Sequence, residues 1–255
     1  MTYKASVEDN IIIFKFDSNK YNSISTETLK GLDEAVQRLN NEKDLKGLIL
    51  TGQGRIFTSG FELGIFLSFK DPEEAINWWK YQDMVMYNLF TCKKPVIAAV
   101  NGHATAAGMI VSMASDYRIV INNPKIKMGM TEITIGSPMG SCHAEIMKLG
   151  LGNDKNFRDF IFTGKLMSPN ELIQRGIFDE LATDETELLE KAKAKVCSLI
   201  DTPGQPFILF KYFEKRHAAE YILENHEKFD WNSLAAFYFD KSVVASFKKV
   251  QASMS

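Results

Sequence analysis

The stretch that decides the fold is residues 95–116, PVIAAVNGHATAAGMIVSMASD. Its first six residues are apolar, which is typical of a buried strand. Asn101-Gly102 ends that strand, and residues 104–115 are small, apolar and compatible with a helix. Small residues at a helix start let a ligand approach the free amides, which suit an oxyanion. The same residues are equally typical of tight packing between a strand and a helix.

Outward from this stretch, strands and helices alternate in the first half of the chain. The apolar strands lack strict polar alternation, which favours an α/β fold with strands covered on both faces. From about residue 140 the sequence predicts mainly helices, so we expect an α/β core over residues 1–200 and a helical C-terminal region over 201–255. The predicted strands are 3–8, 10–16, 47–51, 95–100, 117–121 and 126–128, and the predicted helices include 25–40, 72–90, 104–115, 184–200, 203–217 and 231–250.

The composition is that of an ordinary globular protein, with 45% hydrophobic and 24% charged residues among 255. A formal net charge of −2 offers no basic field to nucleic acid. The first residues do not form a secretion signal and no apolar run has membrane-spanning length, so we expect a cytoplasmic protein without a membrane partner. Cys92, Cys142 and Cys197 are odd in number and show no CxxC pattern, so neither a disulfide nor a metal site is predicted.

Two other segments are candidates for chemistry. The loop GQGRIFTSGFEL, residues 52–63, presents successive amides from Ser59 to Glu62, although such a loop is usually an ordinary turn. It matches neither the dinucleotide nor the phosphate-loop motif. Glu132 lies among methionines and isoleucines, and burial there raises the pKa of a carboxyl group and makes it a better proton acceptor. Taken alone, an exposed loop glutamate is the commoner case. His103 and His143 have no companion motif for nucleophilic or metal chemistry.

Taken together and in this order, the three segments resemble the enoyl-CoA hydratase/isomerase, or crotonase, superfamily. FTSGFEL at residues 57–63 is similar to the family's F-[SA]-[AS]-G-x-[DE]-[LI] motif, residues 95–108 with Asp116 to its second motif, and residues 124–136 to its third. The resemblance implies an α/β spiral of ββα units, a helical C-terminal region that helps cover the active site, and assembly as homotrimers or dimers of trimers. The C-terminal aromatic residues therefore pack either on the core or on another subunit.

Carried over residue by residue, the resemblance implies an oxyanion hole made of the Phe61 and Ala107 amides, with Glu132 as the catalytic carboxylate. Ile110 stands where hydratases of the family carry the first of two glutamates. An alkyl group cannot orient water, whereas a double-bond shift needs only one base, so the sequence resembles the one-glutamate Δ3,Δ2-enoyl-CoA isomerases. The predicted substrate-binding residues are Ser59, Gly60, Glu62, Leu63, Gly108 and Ile110.

The expected activity is isomerisation of 3-enoyl-CoA to trans-2-enoyl-CoA in fatty-acid oxidation, with an acyl-CoA thioester as the partner. No metal or redox cofactor is implied, because coenzyme A is part of the substrate. The alternatives are hydration, hydrolysis or decarboxylation of an acyl thioester, which a carrier protein could hold instead of coenzyme A, and a non-catalytic acyl-CoA-binding homologue. Lys211, Lys215 and Arg216 are the candidates for contact with the coenzyme A phosphates, and residues 65–90 for lining the acyl pocket.

Overall fold

Five of the six strands predicted for the first half of the chain lie in one six-stranded sheet of the computed structural model, which describes residues 2–254. The sixth, predicted at 126–128, is the strand Met128–Gly129 of a second sheet, and the last strand of the large sheet, Glu180–Ala182, was not predicted. The first two strands make an antiparallel hairpin, and its turn residues Asp9 and Asn10 have positive φ angles of 53° and 62°, which these side chains tolerate. The strands are β1 Tyr3–Glu8, β2 Ile11–Phe16, β3 Gly47–Gly52, β4 Ile56–Thr58, β5 Val96–Val100, β6 His103–Thr105, β7 Tyr117–Ile121, β8 Met128–Gly129 and β9 Glu180–Ala182. The large sheet has the order β1-β2-β3-β5-β7-β9 and is parallel from β2 onward.

Strand β3 shows why the strands are apolar on both faces. Leu48 and Leu50 belong to the main hydrophobic core, whereas Ile49 between them belongs to a second core on the other face of the sheet. The helix Glu185–Ile200 covers that second face with Leu188 and other apolar side chains. Because successive side chains of a strand point to opposite faces, a strand covered on both sides has no polar alternation. The prediction of strands covered on both faces is confirmed.

Twelve helices occur within residues 2–254, and several begin where the sequence predicts. The predicted helix 72–90 is observed with the same bounds, because Asp71 accepts a hydrogen bond from the Glu74 amide and Pro72 occupies the first helical position. The helices are α1 Thr26–Asn41, α2 Leu63–Ser68, α3 Pro72–Phe90, α4 Ala107–Ala114, α5 Glu132–Ile135, α6 Ser141–Leu151, α7 Asp154–Ile161, α8 Pro169–Gln174, α9 Glu185–Ile200, α10 Phe207–His226, α11 Trp231–Phe237 and α12 Lys241–Met254.

Three predicted helices differ from the observed ones. The predicted helix 104–115 begins only at Ala107, because residues 103–105 form β6 and Ala106 reverses the chain with φ 55°. The predicted helix 203–217 is shifted to Phe207–His226. The predicted helix 231–250 is two helices, since Asp240 accepts hydrogen bonds from the amides of Ser242 and Val243 and so starts α12 as a new helix.

A second, three-stranded parallel sheet of order β4-β6-β8 lies at the carboxyl ends of β3, β5 and β7. The C-terminal helices close over this end of the molecule. Phe247 of α12 and Trp231 of α11 join Phe66 of α2 and Trp79 of α3 in a third hydrophobic cluster. Within residues 2–254 no helix has both the length and the apolar character needed to cross a bilayer.

Candidate active site

A cavity of about 170 Å³ lies between the small sheet and the C-terminal helices. Its wall brings together three segments that are remote in sequence, the loop after β4, the start of α4 and the segment around α5. Val250 of α12 lines one side of the cavity. The lining residues are Ser59, Phe61, Leu63, Phe66, Trp79, Thr105, Ala106, Ala107, Ile110, Met130, Thr131, Glu132, Ile135, Ser137, Pro138, Met139, His143 and Val250.

Glu132 is the first residue of α5, and its carboxyl group lies in the cavity wall. Within residues 2–254 its buried Oε2 atom has no hydrogen-bond partner. Burial raises the pKa of Glu132 to about 7, although hydrogen bonds from its own amide and from the Thr131 amide lower it in part. A carboxyl group with such a pKa is balanced between the protonated and ionised forms near neutral pH, which is the property of a proton shuttle.

Two residues with free backbone amides, Phe61 and Ala107, line the same cavity from opposite segments. Gly60, with φ 94°, brings the loop after β4 against the start of α4, and a Cβ atom there would lie 2.9 Å from the Ala107 nitrogen and 2.7 Å from the Ala106 Cβ. Only glycine permits this approach. Within the described part of the chain, the N–H groups of Phe61 and Ala107 donate to no other protein group. Two free amides beside one carboxyl group can bind an oxygen on which negative charge develops.

Ala106 holds the second amide in place at an energetic cost. Its φ of 55° and ψ of −128° lie in a region that glycine adopts readily and other residues do not. Such a backbone conformation costs about 1–3 kcal/mol and persists where the surroundings enforce it. Here the Ala106 amide donates to the Gly129 carbonyl of β8 at 3.0 Å, and its carbonyl accepts from the Met109 amide at 2.9 Å. These hydrogen bonds hold Ala106 in its strained conformation and so fix the direction of the Ala107 amide, the first amide of α4.

Comparison with known proteins identifies the family of this chain. A sequence model described as enoyl-CoA hydratase/isomerase matches residues 6–242, which is most of the chain. The chain belongs to the enoyl-CoA hydratase/isomerase family. The family resemblance expected from the three motifs is thereby confirmed.

Curated relatives of this family include "Enoyl-CoA delta isomerase 1, mitochondrial" of Mus musculus, which is 24% identical over 237 residues, 92% of this chain and 81% of that protein. The Rattus norvegicus protein of the same name is 25% identical over 86% of this chain and 75% of its own length. The crystal structure of human mitochondrial Δ3-Δ2-enoyl-CoA isomerase superposes with a TM-score of 0.90 at 22% identity, covering 100% of this chain and 98% of that one. An enoyl-CoA hydratase/isomerase from Mycobacterium paratuberculosis superposes with 0.83 at 18% identity, covering 97% and 98%. The expected crotonase-type α/β fold is confirmed.

The predicted site residues fall into two groups in this family member. Glu132, Phe61, Ala107, Ser59, Leu63 and Ile110 all line the cavity. Gly60 and Gly108 lie behind its wall, where the absence of a side chain creates space, since a Cβ on Gly108 would lie 2.4 Å from the Thr58 carbonyl oxygen. Glu62 is exposed at the start of α2 and does not line the cavity. The second group therefore shapes the site or borders it rather than forming its wall.

Two of the predicted contacts for coenzyme A phosphates are wrong. Lys211 and Lys215 of α10 are buried, and their Nζ atoms lie 2.6 and 2.7 Å from the two carboxylate oxygens of Asp116. Burial by itself would raise the pKa of Asp116, but the two lysine charges outweigh it and hold that pKa below its ordinary value. Both ammonium groups are committed to this ion cluster, which ties α10 to the core, so they are not available to a ligand. Arg216 remains a prediction.

His143 belongs to no recognisable sequence motif but lines the cavity, and it has two polar partners on α3, Gln82 and Asp83. The available signal was the presence of these two polar residues within an otherwise apolar face of α3. His103, by contrast, accepts a hydrogen bond from the Lys127 amide and does not line the cavity. Within residues 2–254 no three His, Cys, Asp or Glu side chains are grouped as ligands for a metal ion.

Proposed function

We propose that this protein isomerises 3-enoyl-CoA thioesters to trans-2-enoyl-CoA with Glu132 as a single proton shuttle. The observation that carries the proposal is the common cavity that holds an unpartnered carboxyl of raised pKa and two free amides, those of Phe61 and Ala107. Among the described lining residues, Glu132 is the one carboxylic acid. The names of the mouse and rat relatives support the same reaction class.

In the proposed reaction the ionised Glu132 takes a proton from the α-carbon of the thioester. The C–H bonding electrons pass into a dienolate whose negative charge lies largely on the thioester oxygen. The Phe61 and Ala107 N–H groups hydrogen-bond that oxygen most strongly when it is charged, which lowers the barrier. Glu132 then returns the proton to the γ-carbon, and the double bond moves from the 3- to the 2-position. No group is consumed, and the carboxylate ends in its starting state.

Ile110 supports isomerisation over hydration. Its buried side chain lines the cavity near the start of α4, and no second carboxylic acid lines this cavity within residues 2–254. Addition of water needs a group that orients and activates the water molecule, a contribution of about 10²–10⁴-fold per positioned acid or base. An apolar wall also favours return of the same proton to the substrate rather than its loss to solvent.

The direct test uses purified protein with cis- and trans-3-enoyl-CoA and analyses the products. We expect the trans-2-enoyl thioester, and we expect Glu132→Gln to lower kcat by about 10²–10⁴-fold. A 3-hydroxyacyl product would assign hydration instead. Free coenzyme A or carbon dioxide would assign hydrolysis or decarboxylation. Full activity in Glu132→Gln would refute the single-carboxylate mechanism.

We also propose that copies of the chain associate through α10. Leu209, Phe210, Tyr212 and Phe213 are each at least half exposed on that helix, and Phe210 is 64% exposed. Neighbouring large apolar side chains on a surface favour burial against another protein surface. Light scattering coupled to size exclusion should give a trimer or hexamer, and Phe210→Glu should shift the mass toward the monomer. A monomeric native protein would contradict this assembly.

A further inference from the structure

A carboxyl group without a counter-charge is buried on α3, behind the wall of the cavity. Asp83 is 0% exposed. Its Oδ1 accepts a hydrogen bond from Gln82 Nε2 at 2.5 Å, and the Cys142 amide of α6 also donates to this carboxyl group. Its Oδ2 has no partner within residues 2–254, and no lysine or arginine of that part contacts it. Burying such a carboxyl group lowers the free energy of unfolding, which indicates that Asp83 has a functional role.

The hydrogen bonds fix the proton position on the His143 ring. Gln82 Nε2 donates both to Asp83 and to the Trp79 carbonyl, at 3.2 Å, so the Gln82 oxygen faces His143. That oxygen lies 2.8 Å from His143 Nε2, and the Asp83 Oδ1 lies 3.5 Å from the same nitrogen. Both neighbours are acceptors, so Nε2 carries the hydrogen and Nδ1 does not. Burial lowers the pKa of His143 to about 3, so the ring is neutral near pH 7 and is too weak a base to take a substrate proton.

The oriented His143 ring packs against the side chain of Phe61, a residue of the proposed oxyanion hole. The two rings are stacked with centroids 6.0 Å apart and planes 29° apart, and the His143 ring also contacts Trp79 at 5.5 Å. Phe61 contributes one of the two amides of the proposed oxyanion hole. Hydrogen bonds to Ile24 hold the backbone on both sides of Phe61, and the packing of its side chain further limits the direction of its amide. An error of about 1 Å in such a position can cost 10²-fold in rate.

We propose that Asp83, Gln82 and His143 are positioning residues that hold the Phe61 loop, and that activity requires Asp83 in its ionised form. The inference rests on the proposed isomerisation. When Asp83 binds a proton, its carboxyl group accepts more weakly from Gln82, and its O–H group can donate to the Gln82 oxygen if the Gln82 amide turns over. That rotation removes the acceptor of the His143 Nε2–H group and changes the preferred tautomer of the ring. Ionised Asp83 therefore holds one arrangement of the wall, whereas protonated Asp83 also permits the other.

The surroundings of Asp83 bring its pKa close to neutral pH. The groups that face it are the Gln82 side chain on α3, the Cys142 thiol and amide and the His143 ring on α6, and the Tyr238 hydroxyl that follows α11. All of these are neutral near pH 7, so burial without a counter-charge raises the pKa of Asp83 to about 7, although the hydrogen bonds from Gln82 and Cys142 lower it in part. Glu132 titrates in the same range, so the rate should depend on two ionisations.

The kinetic test measures kcat and KM across pH for the wild type, Asp83→Asn and Gln82→Met. In the wild type, log kcat should rise on the acid side with a slope above 1, approaching about 2, because two carboxyls must lose a proton. Asp83→Asn removes the negative charge and cannot titrate, so it should lower kcat by about 10–100-fold and leave an acid-side slope of about 1. Gln82→Met should lower kcat by about 10–100-fold while KM changes by less than about threefold.

The matched control is Asn88→Ala, which removes a hydrogen bond of the same helix to Asp33, away from the cavity. Equal slopes in the wild type and Asp83→Asn, or an unchanged kcat in Gln82→Met, would overturn the proposal.

A second measurement does not depend on turnover. The ¹⁵N spectrum of the imidazole rings, assigned to His143 by comparison with His143→Phe, reports which nitrogen carries the hydrogen. We expect the Nε2–H form above pH 7 and a change of tautomer as Asp83 protonates on acidification, and no such change in Asp83→Asn. A ring in the Nδ1–H form above pH 7 would refute the positioning chain even if the isomerisation is confirmed. A protein without isomerase activity that shows the expected spectra would refute the proposed function alone.

Discussion

Replacing Glu132 by glutamine should stabilise the protein while removing its proposed activity. Burial raises the pKa of Glu132 from an ordinary 4.5 to about 7, so the native state binds this proton more tightly than the unfolded chain does. As pH rises through that window, the unfolded state gives up its proton first, and the free energy of unfolding falls. At 1.36 kcal/mol per pKa unit, the ionised carboxylate opposes folding by up to about 3 kcal/mol above pH 7.

The assay is urea denaturation of the wild type and Glu132→Gln at several pH values. The variant should be more stable by up to about 3 kcal/mol at about pH 8, and the difference should vanish toward pH 4.5. Taking the difference between the two proteins removes the contribution of other buried acids. Glu224→Gln, a change at an exposed glutamate of α10, is the matched control and should leave stability unchanged at every pH. A variant that is less stable at pH 8 than the wild type would refute the reasoning that Glu132 is a destabilising buried charge.

Three further changes test the packing around the site. Asp116→Asn should lower the free energy of unfolding by about 3–5 kcal/mol, because Lys211 and Lys215 keep buried charges without a partner; a loss below about 1 kcal/mol by urea denaturation would contradict the buried cluster. Gly60→Ala should lower kcat by about 10²-fold, because its Cβ would meet the Ala106 Cβ at 2.7 Å and push the two amides apart; steady-state kinetics with an unchanged kcat would argue against that contact. Ala106→Gly should raise the free energy of unfolding by about 1 kcal/mol, since the relieved strain exceeds the entropy that glycine loses; a lower melting temperature would count against strain at this position.

The fold was predictable wherever local sequence determines local structure. Helix α3 begins and ends as predicted because Asp71 and Pro72 mark its start by local hydrogen bonding and a preset φ. The predicted start of α4 was wrong because Ala106 adopts a positive φ angle, which an alanine does not favour. A hydrogen bond from Ala106 to Gly129 of β8 enforces this angle. The break at Asp240 was missed because the apolar residues on both sides of it continue the helical pattern.

The candidate site was predictable where it resembles a family motif and not where it depends on remote pairs. The three motifs placed Glu132, Phe61 and Ala107, and the structure brings all three to one cavity. Nothing in the sequence links Gln82 to His143, since their contact forms only when α3 packs against α6. Lys211 and Lys215 were predicted to contact the coenzyme A phosphates for the same reason, because their partner Asp116 lies about a hundred residues earlier in the chain.

The ion cluster around Asp116 has a consequence for the order in which the chain matures during synthesis. Asp116 emerges from the ribosome long before α10, and its carboxylate also accepts the Val96 amide at the start of a central strand. Domains usually fold from the N-terminus as they are made. Lys211 and Lys215, the two ion-pair partners of Asp116, are translated only with α10, so until then this carboxylate is more stable in contact with water than enclosed. A chain that is truncated before α10 therefore lacks the two lysines that neutralise Asp116 in its core. Such a chain differs from the full protein by more than the loss of its last helices.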